Sequence, residues 1–495
     1  MATFVPCERG QAFLLPPDMK DWLPQDDLAH FVIAAAERVS LTAFQVNDRN
    51  SGKPQYHPRM MLALLVYAYA NGLFSSRRIE RATHRDLGVR FVTANTHPDH
   101  DTIAAFRRQN RPAFEAAFLD ILLMARQTGL LRLGTVSVDG SKIDANASKI
   151  RSVRYDRAQE LRAKLAADIA QLTAQAEAAD AEDHDPQALP KDLARRERLK
   201  AQLDAACERM QADARAEAEA ARAAYEVKKA AYDAKNGRRG RPPKPPDDAP
   251  PPERQSNLTD PDSALMRRSD AHEYRQAYNA QAVVCADGAQ LILATNLVAT
   301  SADAPSFSQT ILGMQSTVGL PERVLADTGY ASGPAIAALQ AEGIEPLVAI
   351  GRTQPHRPYD FRPPPPPKKP RRITEPWRIA MKAKLETEDA KALYKKRKQT
   401  VEPVFGIIKT AIGFRQFSLR GIGKAAAEWT LVTLAYNCRR MVTLQTASPS
   451  RAAVTASSGY DRYRSTHQSD RLLGGSGELP SPKPSPGGRE PLNGG

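Results

Sequence analysis

The stretch from residue 277 to residue 299 constrains the fold most. AYNAQAVVCA and QLILATNLVA are apolar runs of strand length, separated by Asp287-Gly288, a pair that favours a tight reversal. An antiparallel strand pair is therefore expected in the middle of the chain. Around it, short apolar segments alternate with helical patterns. TVSVDG (135–140) reads as a buried strand ending at Asp139. A helix is expected near 305–318, a strand at RVLADTGY (323–330), a helix near 334–342, a strand at EPLVAI, and a helix from about Glu386 to Lys409. Strand, hairpin, helix, strand, helix, strand, helix is an α/β layout.

Other regions separate by composition. Residues 1–130 mix apolar helical patterns with Arg and His. Residues 151–235 are rich in Ala and charge, with Leu199, Leu203, Ala206 and Met210 at steps of four, three and four. Pro186 and Pro190 interrupt that block, which predicts an antiparallel helical hairpin inserted after the first strand. Residues 236–262 form a basic, Pro-rich linker. The α/β layout occupies 131–150 and 263–445, and the Ser-, Gly- and Pro-rich tail from 446 to 495 is expected to be disordered.

Charge points to a polyanion. The 495 residues carry 70 Lys+Arg against 56 Asp+Glu, a formal +14. Cys7, Cys207, Cys285 and Cys438 form no CxxC pair, which argues against a disulfide framework or a cysteine zinc finger. The N-terminus lacks a basic-then-apolar leader, and MMLALLVYAYANGLF from Met60 is too short to span a bilayer. A cytoplasmic protein with no membrane partner is expected.

Three acids stand out by position: Asp139 and Asp327 at strand tips, each close to a glycine, and Glu402 in the late helix. Carboxylates from separate elements supply hard oxygen ligands for Mg2+ or Mn2+, and two such ions suit phosphodiester displacement. Arg239-Gly240-Arg241-Pro242 resembles an AT-hook core able to lay Arg239 and Arg241 in a narrow minor groove. Arg77, Arg78, Arg107 and Arg108 are expected on exposed faces of helices in the N-terminal domain that could read DNA. In the His97, Asp99, His100, Asp101 cluster the spacing matches no zinc pattern, and Asp101 is read as a helix N-cap.

Five segments together, VSVDGSKIDANAS (136–148), NLTDPDSALM (257–266), YNAQ (278–281), VLADTGY (324–330) and YKKRKQTVEPVFGIIK (394–409), resemble bacterial insertion-sequence transposases of the DDE type. The resemblance covers about 20–445 and is nearest to the group numbered eleven-eighty-two in the IS-four/IS-five assemblage. It implies a ribonuclease H-like catalytic core with a helical N-terminal domain. Asp139, Asp327 and Glu402 would then be the catalytic, metal-binding triad, with two Mg2+ or Mn2+ ions. The family's Tyr–Arg–Glu–Lys signature falls on Tyr394, Arg397, Glu402 and Lys409. One extra residue separates Arg397 from Glu402, leaving Lys398 as the alternative basic member. The implied activity is cleavage at terminal inverted repeats and transfer of 3′ ends to target DNA, by a homodimer or larger assembly at the bacterial nucleoid. The alternatives are a DNA-binding repressor without catalysis, and a nuclease of the same fold that cuts but never joins.

Overall fold

The computed structural model describes residues 18–46, 54–181, 189–234, 241–267, 273–351 and 373–447. Met1–Val442 form one compact unit. Of the second, Thr443–Gly495, only the end of one helix is described. The proposed AT-hook residue Arg239, Pro186, the PPPPPKKPRR run and the tail lie outside the described residues.

The N-terminal region is helical: α1 Leu28–Arg38, α2 Pro58–Ala70, α3 Ser76–Arg85, α4 Leu87–Val92, α5 His100–Gln109 and α6 Arg111–Gln127. Pro58 starts α2, where a missing N–H costs nothing. Every residue from Met61 to Ala70 is buried, so the apolar run from Met60 is a core helix surrounded by its neighbours. Among the described residues, no helix is long and apolar enough to cross a membrane.

Strand β1 (Thr135–Asp144) follows, then β2 (Ser152–Arg154). Two long helices come next, α7 (Tyr155–Ala181) and α8 (Leu189–Asp233). Leu203, Ala206, Cys207 and Met210 of α8 bury against Ala158 and Leu165 of α7, with Leu199 packed at the margin, so the heptad-like spacing is a true seam. The chain returns through β3 (Gln255–Asn257), which pairs with β2, and β4 (Ala264–Arg267).

The remaining elements are β5 (Tyr274–Cys285), β6 (Ile292–Val298), α9 (Phe307–Leu312), β7 (Arg323–Ala326), α10 (Gly333–Ala341), β8 (Glu345–Val348), α11 (Pro376–Leu385), α12 (Glu388–Gly406) and α13 (Ile422–Thr446). The main sheet runs β4-β5-β1-β7-β8, with β6 also on β5. β5 is antiparallel to β1, β4 and β6, whereas β1, β7 and β8 are mutually parallel. The Asp287-Gly288 reversal is present as a longer loop from Ala286 to Leu291, with Gly288 at φ +99°. Asp287 accepts a bond from the Thr135 backbone N–H at 2.7 Å, tying this loop to the start of β1.

β1 does not end at Asp139 as its sequence suggested. It continues five residues further, because β5 supplies backbone partners through Asp144. What ends near Asp139 is the parallel pairing with β7, whose last partner on β1 is Ser137. Asp139 is therefore an internal strand residue on a ladder that has just lost one neighbour, which opens its side.

The N-terminal helices join the sheet region through buried polar bonds. Glu428 of α13, 1 % exposed, accepts from Tyr69 of α2 at 2.8 Å and from the Ser418 and Leu419 backbones. Arg107 donates to Tyr69 and to the Phe74 carbonyl, and is buried. It is thus an internal strut, contrary to the expected exposed face. Asp99, not Asp101, caps α5 by accepting from the Thr102 N–H, since the helix begins at His100.

Candidate active site

Three elements bring the predicted acids together. β1 carries Asp139; the turn after β7 carries Asp327; α12 carries Glu402. α12 starts at Thr387, whose hydroxyl caps the Ala390 N–H. Ala390 and its neighbours Leu393 and Tyr394 pack on Leu325 of β7 and Leu347 of β8. The Tyr394 hydroxyl donates to the Ala326 carbonyl at 3.1 Å, directly before Asp327. Tyr394 thus anchors the helix over the strand end.

One turn further on, Arg397 lies among the acids. Its Nη2 donates to Asp139 Oδ2 at 2.9 Å and stands 3.8 Å from Asp327 Oδ2, while Nη1 is 3.7 Å from Glu402 Oε1. Arg397 is 8 % exposed, whereas Lys398 is exposed. The extra residue before Glu402 therefore leaves Arg397 as the basic group facing the acids. Burial raises the Asp139 carboxyl to about 6; Arg397 opposes that rise, and Asp327 and Asp303 add to it.

Lys409 was expected seven residues along the same α-helix as Glu402. Instead α12 gives way after Gly406 to a π turn over Ile407–Ala411, following Pro403, which removes a backbone donor. From that wider turn the Lys409 ammonium donates to the hydroxyl of Ser141, two residues beyond Asp139.

The glycines beside the acids make room for side chains. A Cβ on Gly140 would stand 2.5 Å from Asn279 Oδ1 and 2.9 Å from Asp303 Oδ1; one on Gly329 would stand 2.8 Å from Asp303 Oδ2 and 3.0 Å from Asp327 Oδ1. Asp303, at the end of the loop after β6, thus closes on both glycines. Asn279 and Gln281, alternate residues of β5, donate to its Oδ1 at 2.7 and 3.2 Å. Tyr330 is fully buried, and its hydroxyl has no hydrogen-bond partner among the described residues. Burial and the charges of Asp303, Asp139 and Asp327 push that hydroxyl well above its usual range.

Asp303, Asn279, Gln281 and Tyr330 carried no assigned role in the sequence reading. YNAQ held the detectable signal, two amides one residue apart on a single strand face. Asp303 had none, because a lone Asp before Ala-Pro looks like any helix start.

An all-oxygen donor set with an orphaned hydroxyl suits a hard divalent cation. As they stand, no three acidic, His or Cys side chains among the described residues are grouped closely enough to hold one. Convergence on Arg397 and the lack of a formed cage agree physically, since the guanidinium fills the space between the acids.

The other predicted contacts are peripheral. Arg77 and Arg78 are exposed on α3, Arg108 is exposed on α5, and Arg241 is exposed after α8. His97 stacks on His84 at 3.9 Å and bonds Thr83, while His100 pairs with Glu80 at 2.9 Å, so these rings are engaged locally.

Residues 252–438 match the family model described as a transposase DDE domain. The chain carries a transposase domain. A second match, over residues 17–109, is to a model described as a transposase domain (DUF772), so the helical N-terminal region is also similar to a transposase domain. The DDE domain match contains Asp327 and Glu402 and stops short of β1. No curated protein and no solved structure matches the chain. The two matches indicate a DNA transposase in general, and the formal +14 charge is in keeping with a DNA partner.

Proposed function

We propose that this transposase cleaves DNA at the terminal inverted repeats of its insertion sequence, of the eleven-eighty-two group, and transfers the 3′ ends to target DNA. The observation that carries the reading is the meeting of Asp139, Asp327 and Glu402 within 4 Å of one guanidinium, from three separate elements. The β6-β5-β1-β7-β8 order, with β5 antiparallel to both β6 and β1 and with β1, β7 and β8 parallel, supports a ribonuclease H-like core comprising 131–150 and 263–445. On this reading 1–130 is the N-terminal DNA-binding domain, 151–235 the inserted hairpin, 236–262 the basic linker and 446–495 a tail.

In the proposed mechanism Asp139, Asp327 and Glu402 would hold two Mg2+ or Mn2+ ions. Those ions would supply Lewis-acid activation of a water or 3′-hydroxyl and stabilise the leaving oxygen. Arg397 balances the charge of the three acids and is a guanidinium that could pair with a phosphate of the bound strand. Lys409, held at Ser141, presents a second cation to the flanking strand. Arg77, Arg78, Arg239, Arg241 and Lys398 contribute phosphate or groove contacts farther out. Two DNA ends cut in one assembly imply a homodimer or larger complex, acting in the cytoplasm at the nucleoid.

The test is strand cleavage and joining on an oligonucleotide carrying the element's end. Asp139→Asn, Asp327→Asn and Glu402→Gln should each abolish Mg2+-dependent cutting while leaving DNA binding intact. Full cutting by any of the three overturns the assignment. Binding without cutting by the unaltered protein would indicate a repressor, and cutting without joining a nuclease.

A further inference from the structure

We propose that Asp303 is a fourth carboxylate of the cation site, a direct ligand held in place by Asn279 and Gln281. This rests on reading the Asp139–Asp327–Glu402 site as cation-dependent, and it enlarges the ligand set beyond those three. Asp303 spans the gap between the two acid-bearing strands. Its Oδ1 closes over Gly140, next to Asp139, and its Oδ2 closes over Gly329 beside an oxygen of Asp327. Both of these oxygens lie within 3.0 Å of the single point where a Gly329 Cβ would stand.

Two further observations point to a ligand rather than to a structural cap. Asp303 makes no side-chain bond to the first turn of the short helix it precedes. Instead it is held from behind: Asn279 and Gln281, 3 % and 1 % exposed, both donate to Oδ1. Buried amides that donate to a carboxylate orient it, as outer-shell groups do around metal ligands. Gln281 is itself steered, because its own oxygen accepts from Ser306 at 2.8 Å. The second observation is Tyr330. Its ring packs edge-on against Phe307, and its fully buried hydroxyl lacks a partner among the described residues while feeling the charges of Asp303, Asp139 and Asp327. A buried hydroxyl without a partner is costly, and a water or phosphate oxygen held at the cation would satisfy it. Glycine at both 140 and 329 is what permits the approach, since any β-carbon there would displace Asp303.

The test uses the full chain and Mn2+ as the probe, with free Mn2+ followed by electron paramagnetic resonance. Asp303→Asn should weaken Mn2+ binding by about tenfold or more, as should Asp139→Asn, and Asn279→Ala should weaken it less. A second measurement needs no variant: Fe2+ loaded into the unaltered protein, with ascorbate and peroxide, should cut the backbone near 303 as well as near 139 and 327. Unchanged Mn2+ affinity in a folded Asp303→Asn, or no cut near 303 while 139 and 327 are cut, overturns the proposal and leaves the three-acid site standing. If the unaltered protein binds no Mn2+ and shows no localised cutting, both readings fall together.

Discussion

Arg397 and Asp139, 258 residues apart in the chain, meet at 2.9 Å. That pair lets three acids share one site, because the same guanidinium also faces Asp327 and Glu402. A guanidinium offers five donors in a fixed planar fork, which suits it to facing several carboxylates at once.

Arg397→Ala should therefore cost about 3 kcal/mol of stability, the usual consequence of stranding a largely buried charge. Arg397 lowers the Asp139 carboxyl, so its removal should raise that group beyond about 6. The loss should be larger at pH 8, where Asp139 is ionised, than at pH 5, where it can take a proton. Urea denaturation at both values checks this, and an equal loss at each would count against it.

The unaltered protein should also respond to pH through Asp139. Its folded value of about 6 lies above the ordinary 3.8, so folding favours the neutral form. That contribution is complete below about pH 3.8 and fades as pH rises through about 6. Cation binding needs the opposite form, so Mn2+ affinity should strengthen between pH 5 and pH 7, with a proton released on binding. Calorimetry in two buffers of different ionisation heat measures both; pH-independent affinity would contradict the site.

Glu428 ties the helical N-terminal region to the last helix. Glu428→Ala strands the Tyr69 hydroxyl, two backbone N–H groups and the nearby Arg107. The expected cost is about 3–5 kcal/mol, while Tyr69→Phe should cost about 1 kcal/mol. A loss below about 1 kcal/mol for Glu428→Ala in urea melts would show the network to be slack.

Gly140 and Gly406 make a contrasting pair. Gly140→Ala places a Cβ 2.5 Å from Asn279 Oδ1 and 2.9 Å from Asp303 Oδ1, whereas nothing lies within 4 Å of a Cβ on Gly406. The first should cost about 1–3 kcal/mol and abolish DNA cleavage without touching DNA affinity. The second, at the end of α12, should be neutral or stabilise by up to about 1 kcal/mol. Parallel melts and gel shifts separate the two, and an active Gly140→Ala would argue that the amide–Asp303 contact is dispensable.

Much of the architecture was legible before any coordinates. Apolar runs of strand length, the Asp287-Gly288 break and the four–three–four stripe on α8 are local patterns, and local patterns set which face of an element is buried. The acids at 139, 327 and 402 were legible for the same reason, each lying in a distinctive local word. Less visible were the features that depend on a neighbour. β1 runs through Asp139 because β5 is beside it, and Arg107 is buried because Tyr69 and the Phe74 carbonyl await it.

The chain's own pattern of apolar and charged residues determined the helices and most strands, because hydrophobic periodicity and cap chemistry act over a few residues, while the candidate acids came from the resemblance of their surrounding segments to a known family. Only the tertiary structure decided that Arg397 rather than Lys398 faces those acids, that a π turn swings Lys409 to Ser141, and that Asp303 closes over Gly140 and Gly329. These are contacts between distant segments. A side chain's role there depends on what the sheet order places opposite it, and no spacing along the chain encodes that.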